Sequence, residues 1–302
     1  MKELIILLTC VTCCGNFELF AQGCSDAGFC TVDALKNPDA DSSEKTPNLL
    51  KIGLVVGKAD HDISIFSSFV EYKRNFSKHW STSVKLTHLS QVLDTISQHR
   101  LADAFVTGGY NLDNGFTFTA GVKIPFTNGN LQRSNRALPL DFQPSLGTFD
   151  FIAGASWEHQ RFRVTAAIQQ PLTQNKNTFL STDYDSSSVL SGFQSTKGFE
   201  RKGDVLLRVV YGQPLGKRWT ISPGLLGIYH LGEDTYETSS GIRTSINGSS
   251  GLTLNGTLFI QYSLTERQKL ELSAGTPFVV RESRPDGLTR SIVLGLEYKL
   301  LF

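Results

Sequence analysis

The sequence predicts an all-β protein, a transmembrane antiparallel up-and-down β-barrel of about twelve strands. Three observations support this fold class: a strict alternation of apolar and polar residues at the C-terminus, its recurrence along the chain, and aromatic residues clustered near short turns. Because successive side chains of a strand point to opposite faces of a sheet, each alternation predicts one strand and its apolar face.

The C-terminal segment 292–302 shows the alternation most clearly. Its first face carries only apolar and aromatic residues, namely Ile292, Leu294, Leu296, Tyr298, Leu300 and Phe302. Its second face carries Glu297, Lys299 and the small Gly295. A transmembrane barrel turns its apolar face outward to lipid and keeps the polar face for the lumen.

The same alternation recurs in twelve segments from Leu50 onward. The predicted strands span residues 50–58, 63–75, 80–89, 101–111, 115–126, 148–158, 161–170, 202–213, 217–230, 250–264, 267–280 and 289–302. Short polar turns join alternate pairs, at residues 75–79, 111–115, 158–160, 213–217 and 265–268. The other links, at 59–62, 90–100, 127–147, 171–201, 231–249 and 281–287, are mostly longer. This anatomy is typical of a Gram-negative outer-membrane barrel with short periplasmic turns and long extracellular loops.

Aromatic residues in the outward phase lie within a few residues of the predicted short turns. They are Tyr72, Trp80, Tyr110, Phe116, Trp157, Phe162, Tyr211, Trp219, Tyr262, Tyr298 and Phe302. Amphipathic rings favour the interface between hydrocarbon and water. The pattern therefore predicts an aromatic belt and a lipid bilayer as partner.

The inward phase is charged, with nine basic and six acidic residues. They are Lys51, Glu71, Lys73, Lys85, Asp103, Lys123, Asp150, Arg161, Arg163, Asp204, Arg208, Lys269, Glu271, Glu297 and Lys299. Charges tolerated there predict a wet lumen, although cross-strand pairing that simply fills the barrel is an equally open interpretation. For a channel, the basic residues that we expect to set a mild anion selectivity are Lys85, Lys123, Arg161, Arg163 and Arg208.

The N-terminal region predicts export and a separate leader. Residues 1–21 resemble a signal peptide, with Lys2, an apolar stretch and cleavage after Ala21, although a lipoprotein signal at Cys10 or Cys13 is an alternative. Residues 22–49 lack alternation, and residues 50–302 form the predicted barrel. Cys24 and Cys30 are expected to form a disulfide in an oxidising compartment. The acidic leader is either a lumen plug or a periplasmic tail.

Composition excludes several other classes of function. The chain has 302 residues with a formal net charge of +1, so its charge gives no reason to expect a nucleic-acid partner. No phosphate-binding loop or clustered metal ligands occur, and we expect neither a cofactor nor a metal site. His88 with Ser90 is the best candidate for a lipid hydrolase at the outer rim, but its surroundings favour a solvated histidine and a protein that is not an enzyme.

The mature chain resembles bacterial outer-membrane transport barrels, in particular the family linked to meta-pathway phenol degradation and, more distantly, the long-chain fatty-acid channels. The resemblance depends on the Leu19-Phe-Ala-Gln22 signal end, the leader, the turn Leu215-Gly-Lys-Arg-Trp219 and the ending Tyr298-Lys-Leu-Leu-Phe302. It implies a passive channel for small solutes, hydrophobic or aromatic ones included. The ending, with Tyr298, Leu300 and Phe302, resembles the signal read by the barrel-assembly machinery. The fourteen strands and Asn-Pro-Ala leader motif of the fatty-acid channels are not predicted here. A structural or surface-interaction barrel is the alternative.

Overall fold

The barrel consists of twelve antiparallel strands. The structure, a computed structural model, describes residues 32–36, 47–285 and 290–302. The strands are β1 Asn48–Ala59, β2 Ser64–Asn75, β3 Trp80–Leu93, β4 Ile96–Asn111, β5 Phe116–Pro125, β6 Asp150–His159, β7 Phe162–Pro171, β8 Asp204–Tyr211, β9 Trp219–His230, β10 Gly251–Ser263, β11 Gln268–Val279 and β12 Arg290–Leu301. A short strand, Gln213–Leu215, pairs with the start of β9.

Pairing between the first and last strands closes the sheet. Each strand pairs with its neighbours in sequence, and β12 pairs with β1 from Leu49↔Leu301 to Ala59↔Arg290. A closed barrel satisfies every backbone donor and acceptor without leaving an edge, which spanning a bilayer requires. The predicted fold class, strand number and antiparallel order are therefore confirmed.

The two faces of the strands follow the predicted parity. Along β12, Leu294 and Leu296 are about half exposed on the outside, whereas Glu297 and Lys299 are buried on the inside. This inverts the arrangement of a water-soluble protein, as expected for a sheet whose outer solvent is hydrocarbon. No helix among the described residues is long and apolar enough to cross a membrane.

The predicted aromatic belt is confirmed at the short-turn rim, where four cross-strand pairs join neighbouring strands. Ring centroids lie 4.6 Å apart in Trp80–Tyr110, 6.3 Å in Phe116–Trp157, 4.9 Å in Phe162–Tyr211 and 4.5 Å in Trp219–Tyr262. Tilted aromatic pairs of this kind add to strand pairing beyond the area that they cover. The belt thus indicates the depth of the barrel in the membrane, and its four pairs connect the five neighbouring hairpins.

The long-loop rim differs from the prediction in one place. Residues 90–100, expected to form a loop, instead extend β3 and β4, which are joined only by Asp94 and Thr95. Asp94 adopts a φ of +48°, the left-handed conformation that tight hairpin turns require. The extension carries polar residues on both faces, as in the pair Gln91↔Gln98, so its sequence lacks the alternation of apolar and polar residues that predicts a strand.

Short elements and an apolar cluster organise the remaining loops. Two small hairpins form, Gln132–Arg133 with Arg136–Ala137 and Thr235–Glu237 with Arg243–Ser245. A buried cluster beneath the loops includes Ile63, Leu89, Ile96, Leu138, Phe142, Phe179, Leu190 and Phe193. The outer rim is therefore packed rather than extended into solvent.

A charge placed on the outer face tests the membrane orientation. We expect Leu296→Arg, near the middle of β12, to lower the free energy of unfolding by about 2–4 kcal/mol, because the guanidinium enters hydrocarbon. The measurement is denaturant unfolding of the protein refolded into phospholipid vesicles. Leu215→Arg, at the short-turn rim, is the matched control and should change the unfolding free energy much less. Equal effects of the two substitutions would contradict the assigned depth.

Candidate functional site: the barrel lumen

The inner wall of the barrel is lined by charged side chains. Among the strand residues that the structure describes, seven basic and six acidic inward side chains are buried: Lys51, Glu71, Lys85, Asp103, Lys123, Asp150, Arg163, Asp204, Arg208, Lys269, Glu271, Glu297 and Lys299. Lys73 lies on the same face and is half-buried, so the excess of basic over acidic inward side chains is two, one fewer than predicted. Buried charges require partners or water, so the pairing of these side chains decides how much of the lumen is available to water and solute.

Strand register brings like charges opposite one another near the short-turn rim. Lys51 of β1 faces Lys299 of β12, and Glu297 of β12 faces Glu271 of β11. Like charges directly opposite each other destabilise a sheet unless counter-charges lie nearby. Lys299 forms ion pairs with both carboxylates: its Nζ lies 3.0 Å from Glu271 Oε2 and 3.6 Å from Glu297 Oε1.

A segment of the leader supplies a further cation to the two glutamates. A single helical turn, α1 Asp33–Lys36, lies inside the barrel. Lys36 Nζ lies 3.0 Å from Glu271 Oε1 and 2.9 Å from Glu297 Oε2. Burial alone would lower the pKa of Lys36, but these two carboxylates outweigh it and raise the pKa above its usual value. The ammonium group therefore stays charged in the lumen.

The same segment packs on the opposite wall through apolar contacts. Val32 and Leu35 are buried against an inward cluster of Phe105, Ile152, Ala167, Leu206, Leu226 and Ile228. The missing side chain of Gly154 leaves space for Leu35, whose Cδ2 lies 2.8 Å from where a Cβ would stand. Arg208 Nη1 donates a 2.7 Å hydrogen bond to the Leu35 carbonyl oxygen. Residues 32–36 thus contact two sides of the lumen.

A separate ion pair lies fully buried between β5 and β6. Lys123 Nζ is 2.9 Å from Asp150 Oδ2 and donates to Thr148 Oγ1 at 3.2 Å. Gln169 of β7 donates to the same Asp150 oxygen. Because neither charge reaches solvent, removing one partner would leave the other uncompensated.

Four of the five residues predicted to set selectivity lie on the inner wall, and one does not. Lys85 Nζ lies 4.0 Å from the centre of the Phe69 ring, and Arg163 Nη1 lies 2.5 Å from Glu158 Oε1. Lys123 and Arg208 have the contacts given above. The inward position expected for Arg161 is wrong, because it is exposed in the β6–β7 turn, where it donates to Gln213 Oε1 at 2.5 Å. Parity holds only where the backbone is still a strand.

A charged cluster at the long-loop rim was not predicted from the sequence. His230 Nδ1 lies 2.7 Å from Asp204 Oδ1, and its Nε2 lies 2.8 Å from Asp234 Oδ1. Only the protonated ring can donate from both nitrogens at once. Arg201 forms an ion pair with Asp204 from the other side. Asp234 and Arg201 lie in loops, where no periodic pattern could have assigned them to this site.

The pair His88 and Ser90, considered for a hydrolase, is not brought together. Ser90 Oγ instead lies 2.8 Å from His99 Nδ1 on the neighbouring strand, while His88 faces Ser68 and Leu101 in register. Cys24, Cys30 and the signal segment 1–21 lie outside the described residues, so the disulfide and the export signal stay predictions. Tyr298 and Leu300 lie at the end of β12 and Phe302 follows it directly; their role in assembly also stays a prediction.

Comparison with solved structures agrees with this architecture. No family model and no curated protein matches the sequence. The COG4313 outer membrane channel from Pseudomonas putida F1 superposes with a TM-score of 0.60 at 14% identity, covering 88% of this chain and 99% of that chain. This chain has the fold of an outer-membrane β-barrel.

Two porins superpose less well with this barrel. The KdgM porin gives a TM-score of 0.45 at 8% identity, covering 84% of this chain and 99% of its own. The NanC porin gives 0.44 at 13% identity, covering 84% and 98%. At these identities the likeness concerns the fold. The predicted outer-membrane β-barrel is confirmed, whereas the finer resemblance to the phenol-degradation family stays a prediction.

The buried Lys123–Asp150 pair should respond asymmetrically to substitution. We expect Lys123→Met to lower the free energy of unfolding by about 3–5 kcal/mol, because it leaves the Asp150 carboxylate buried without its cation. Adding Asp150→Leu to the same protein should recover part of that loss, since the Asp150 charge no longer needs a partner, while the buried Asp103 carboxylate, which Lys123 also neutralises, stays. A double-mutant cycle of unfolding in vesicles measures both effects. Additive losses would contradict a direct pair.

Proposed function

We propose that this chain is a passive outer-membrane channel for small solutes. The observation that carries the proposal is a closed twelve-strand barrel whose inner wall is charged along its length. These charges are buried and several form ion pairs, so passage of a solute requires a movable segment inside the barrel, whereas a purely structural barrel could be filled with apolar side chains. The resemblance to transport barrels further suggests hydrophobic or aromatic molecules among the solutes.

We also propose that the leader obstructs this pathway. The contacts of α1 support the proposal, since they join the leader to both sides of the lumen through an ion pair, a hydrogen bond and apolar packing. Obstruction of this kind narrows a pore without closing the barrel itself. The polar contacts can exchange with water, so the segment is suited to moving aside when solute passes.

Release of the leader should raise conductance. Lys36→Glu places a third carboxylate beside Glu271 and Glu297, and Leu35→Asp places a charge in the apolar cluster. Both substitutions should increase the single-channel conductance of the full-length protein in planar bilayers, because each expels α1 from the lumen. Lys217→Glu, the same charge change in an exposed turn, is the matched control and should leave conductance unchanged.

The outcomes separate the two proposals. Conductance that is equal in the wild type and both leader variants would rule out the obstruction while leaving the channel intact. Absence of conductance in every variant would sink the channel itself and favour a structural or surface-interaction barrel. Liposome swelling with sugars, amino acids and small aromatics then defines which solutes pass.

Inward arginines should set the sign of ion selectivity. Arg163 and Arg208 lie on the adjacent strands β7 and β8 and face the lumen. Replacing both by Gln removes two positive charges from a nearly balanced wall, so the reversal potential in a salt gradient should shift toward cations. Arg161→Gln is the control, because its side chain is exposed in the rim turn and is bonded to Gln213, and it should leave the reversal potential unchanged. A shift from Arg161→Gln alone would contradict this assignment.

A further inference from the structure

A cavity of about 850 Å³ lies at the long-loop rim, apart from the charged lumen wall. Three segments enclose it: the β3–β4 turn at Asp94 and Thr95, the hairpin that carries Arg133 and Arg136, and the loop around Tyr184 and Leu190. Its volume lies within the range of small-molecule sites in proteins. The cavity combines two chemically distinct surfaces.

The first surface is cationic. Arg133 and Arg136 are partners across the small hairpin, joined by Ser134 and Asn135 with φ values of +50° and +61°. This tight turn holds two like charges directly opposite each other, an arrangement that destabilises a strand pair. An anion bound between them would remove that repulsion.

The partners of these arginines leave their charges unneutralised. Arg133 Nη1 donates to the Thr95 carbonyl at 3.0 Å, and Arg136 Nη1 donates to the Asp183 carbonyl at 2.9 Å. Among the residues that the structure describes, neither guanidinium has a carboxylate oxygen within ion-pair distance. The carbonyls orient each group but supply no counter-charge. Both arginines remain exposed, with donors to spare.

The second surface is apolar and rigid. Leu93, Tyr184 and Val189 give the cavity accessible apolar surface. Behind them, Ile96, Leu138 and Leu190 are buried and belong to the cluster beneath the loops. Leu93 packs against the same cluster, so the apolar side of the cavity is the upper surface of a packed core. Asp94 also lines the cavity and offsets part of its positive charge, which favours a ligand with a single negative charge.

We propose that this cavity binds a small amphipathic monoanion, a carboxylate attached to a compact apolar body. The carboxylate pairs with Arg133 and Arg136, while the apolar body contacts Leu93, Tyr184 and Val189. As a capture site at the channel mouth it rests on the proposed function, but binding itself does not require transport. Neither a small inorganic anion nor a neutral aromatic satisfies both surfaces.

Three probes separate the contributions to binding. Benzoate carries both charge and ring, acetate carries the charge alone, and benzyl alcohol carries the ring without charge. Isothermal titration calorimetry on the full-length protein in detergent should show benzoate binding at least about tenfold more tightly than either of the others. Arg133→Gln with Arg136→Gln should weaken benzoate binding about tenfold or more and leave benzyl alcohol unaffected.

Arg243→Gln is the matched control, because Arg243 lies on the other loop hairpin and is already paired with Glu237 and Glu200. It should bind benzoate like the wild type. Equal affinity for the three probes, or benzoate affinity unchanged in the double variant, overturns the proposal.

Potassium chloride conductance of the same proteins distinguishes the binding site from the proposed channel function. A wild type that conducts without binding benzoate contradicts only the binding site. One that binds benzoate without conducting supports the site and contradicts transport.

Discussion

The ladder between β1 and β12 is the constraint on which the other features depend. Backbone groups in hydrocarbon find no water, so an open sheet edge at membrane depth would leave a row of them unsatisfied. The first and last strands of the barrel meet at this seam, where Asn48 and Phe302 exchange backbone hydrogen bonds of 3.1 and 3.0 Å. Once the seam is closed, the parity of every strand residue is fixed as lipid-facing or lumen-facing.

Closure also explains the charge pattern of the lumen. With the outside reserved for apolar side chains, every charged strand residue at membrane depth must share the inner wall, whatever its neighbours carry. The register then sets Glu271 against Glu297 and Lys51 against Lys299. The glutamate pair is unfavourable on its own, and Lys36 of the leader supplies it with a counter-charge. The site is therefore a consequence of register, and the leader's cation completes it.

The sequence predicted the parts of this structure that are local and periodic. Strands such as β12 are predictable because apolar and polar residues alternate along them, and the aromatic belt is predictable because its members lie on the outward face of that alternation. Three features were missed or misplaced for a common reason. The β3–β4 extension is polar on both faces, Arg161 lies where the strand has already turned, and the cluster around His230 recruits Asp234 from a loop. Each depends on tertiary contacts that leave no periodic trace.

Near balance of charge on the wall limits how strongly the strands alone can discriminate among solutes. The buried wall charges, seven basic and six acidic, give only a weak mean field, so Arg163 and Arg208 set no more than a mild preference, and stronger discrimination by charge needs positive groups that lack a local counter-charge. Among the described residues, such positive groups lie at the long-loop rim, where Arg133 and Arg136 face each other across two turn residues. At the opposite end, Lys36 is neutralised by Glu271 and Glu297, so α1 would obstruct mainly by its volume. A solute would thus be selected by charge on entry and by size on exit.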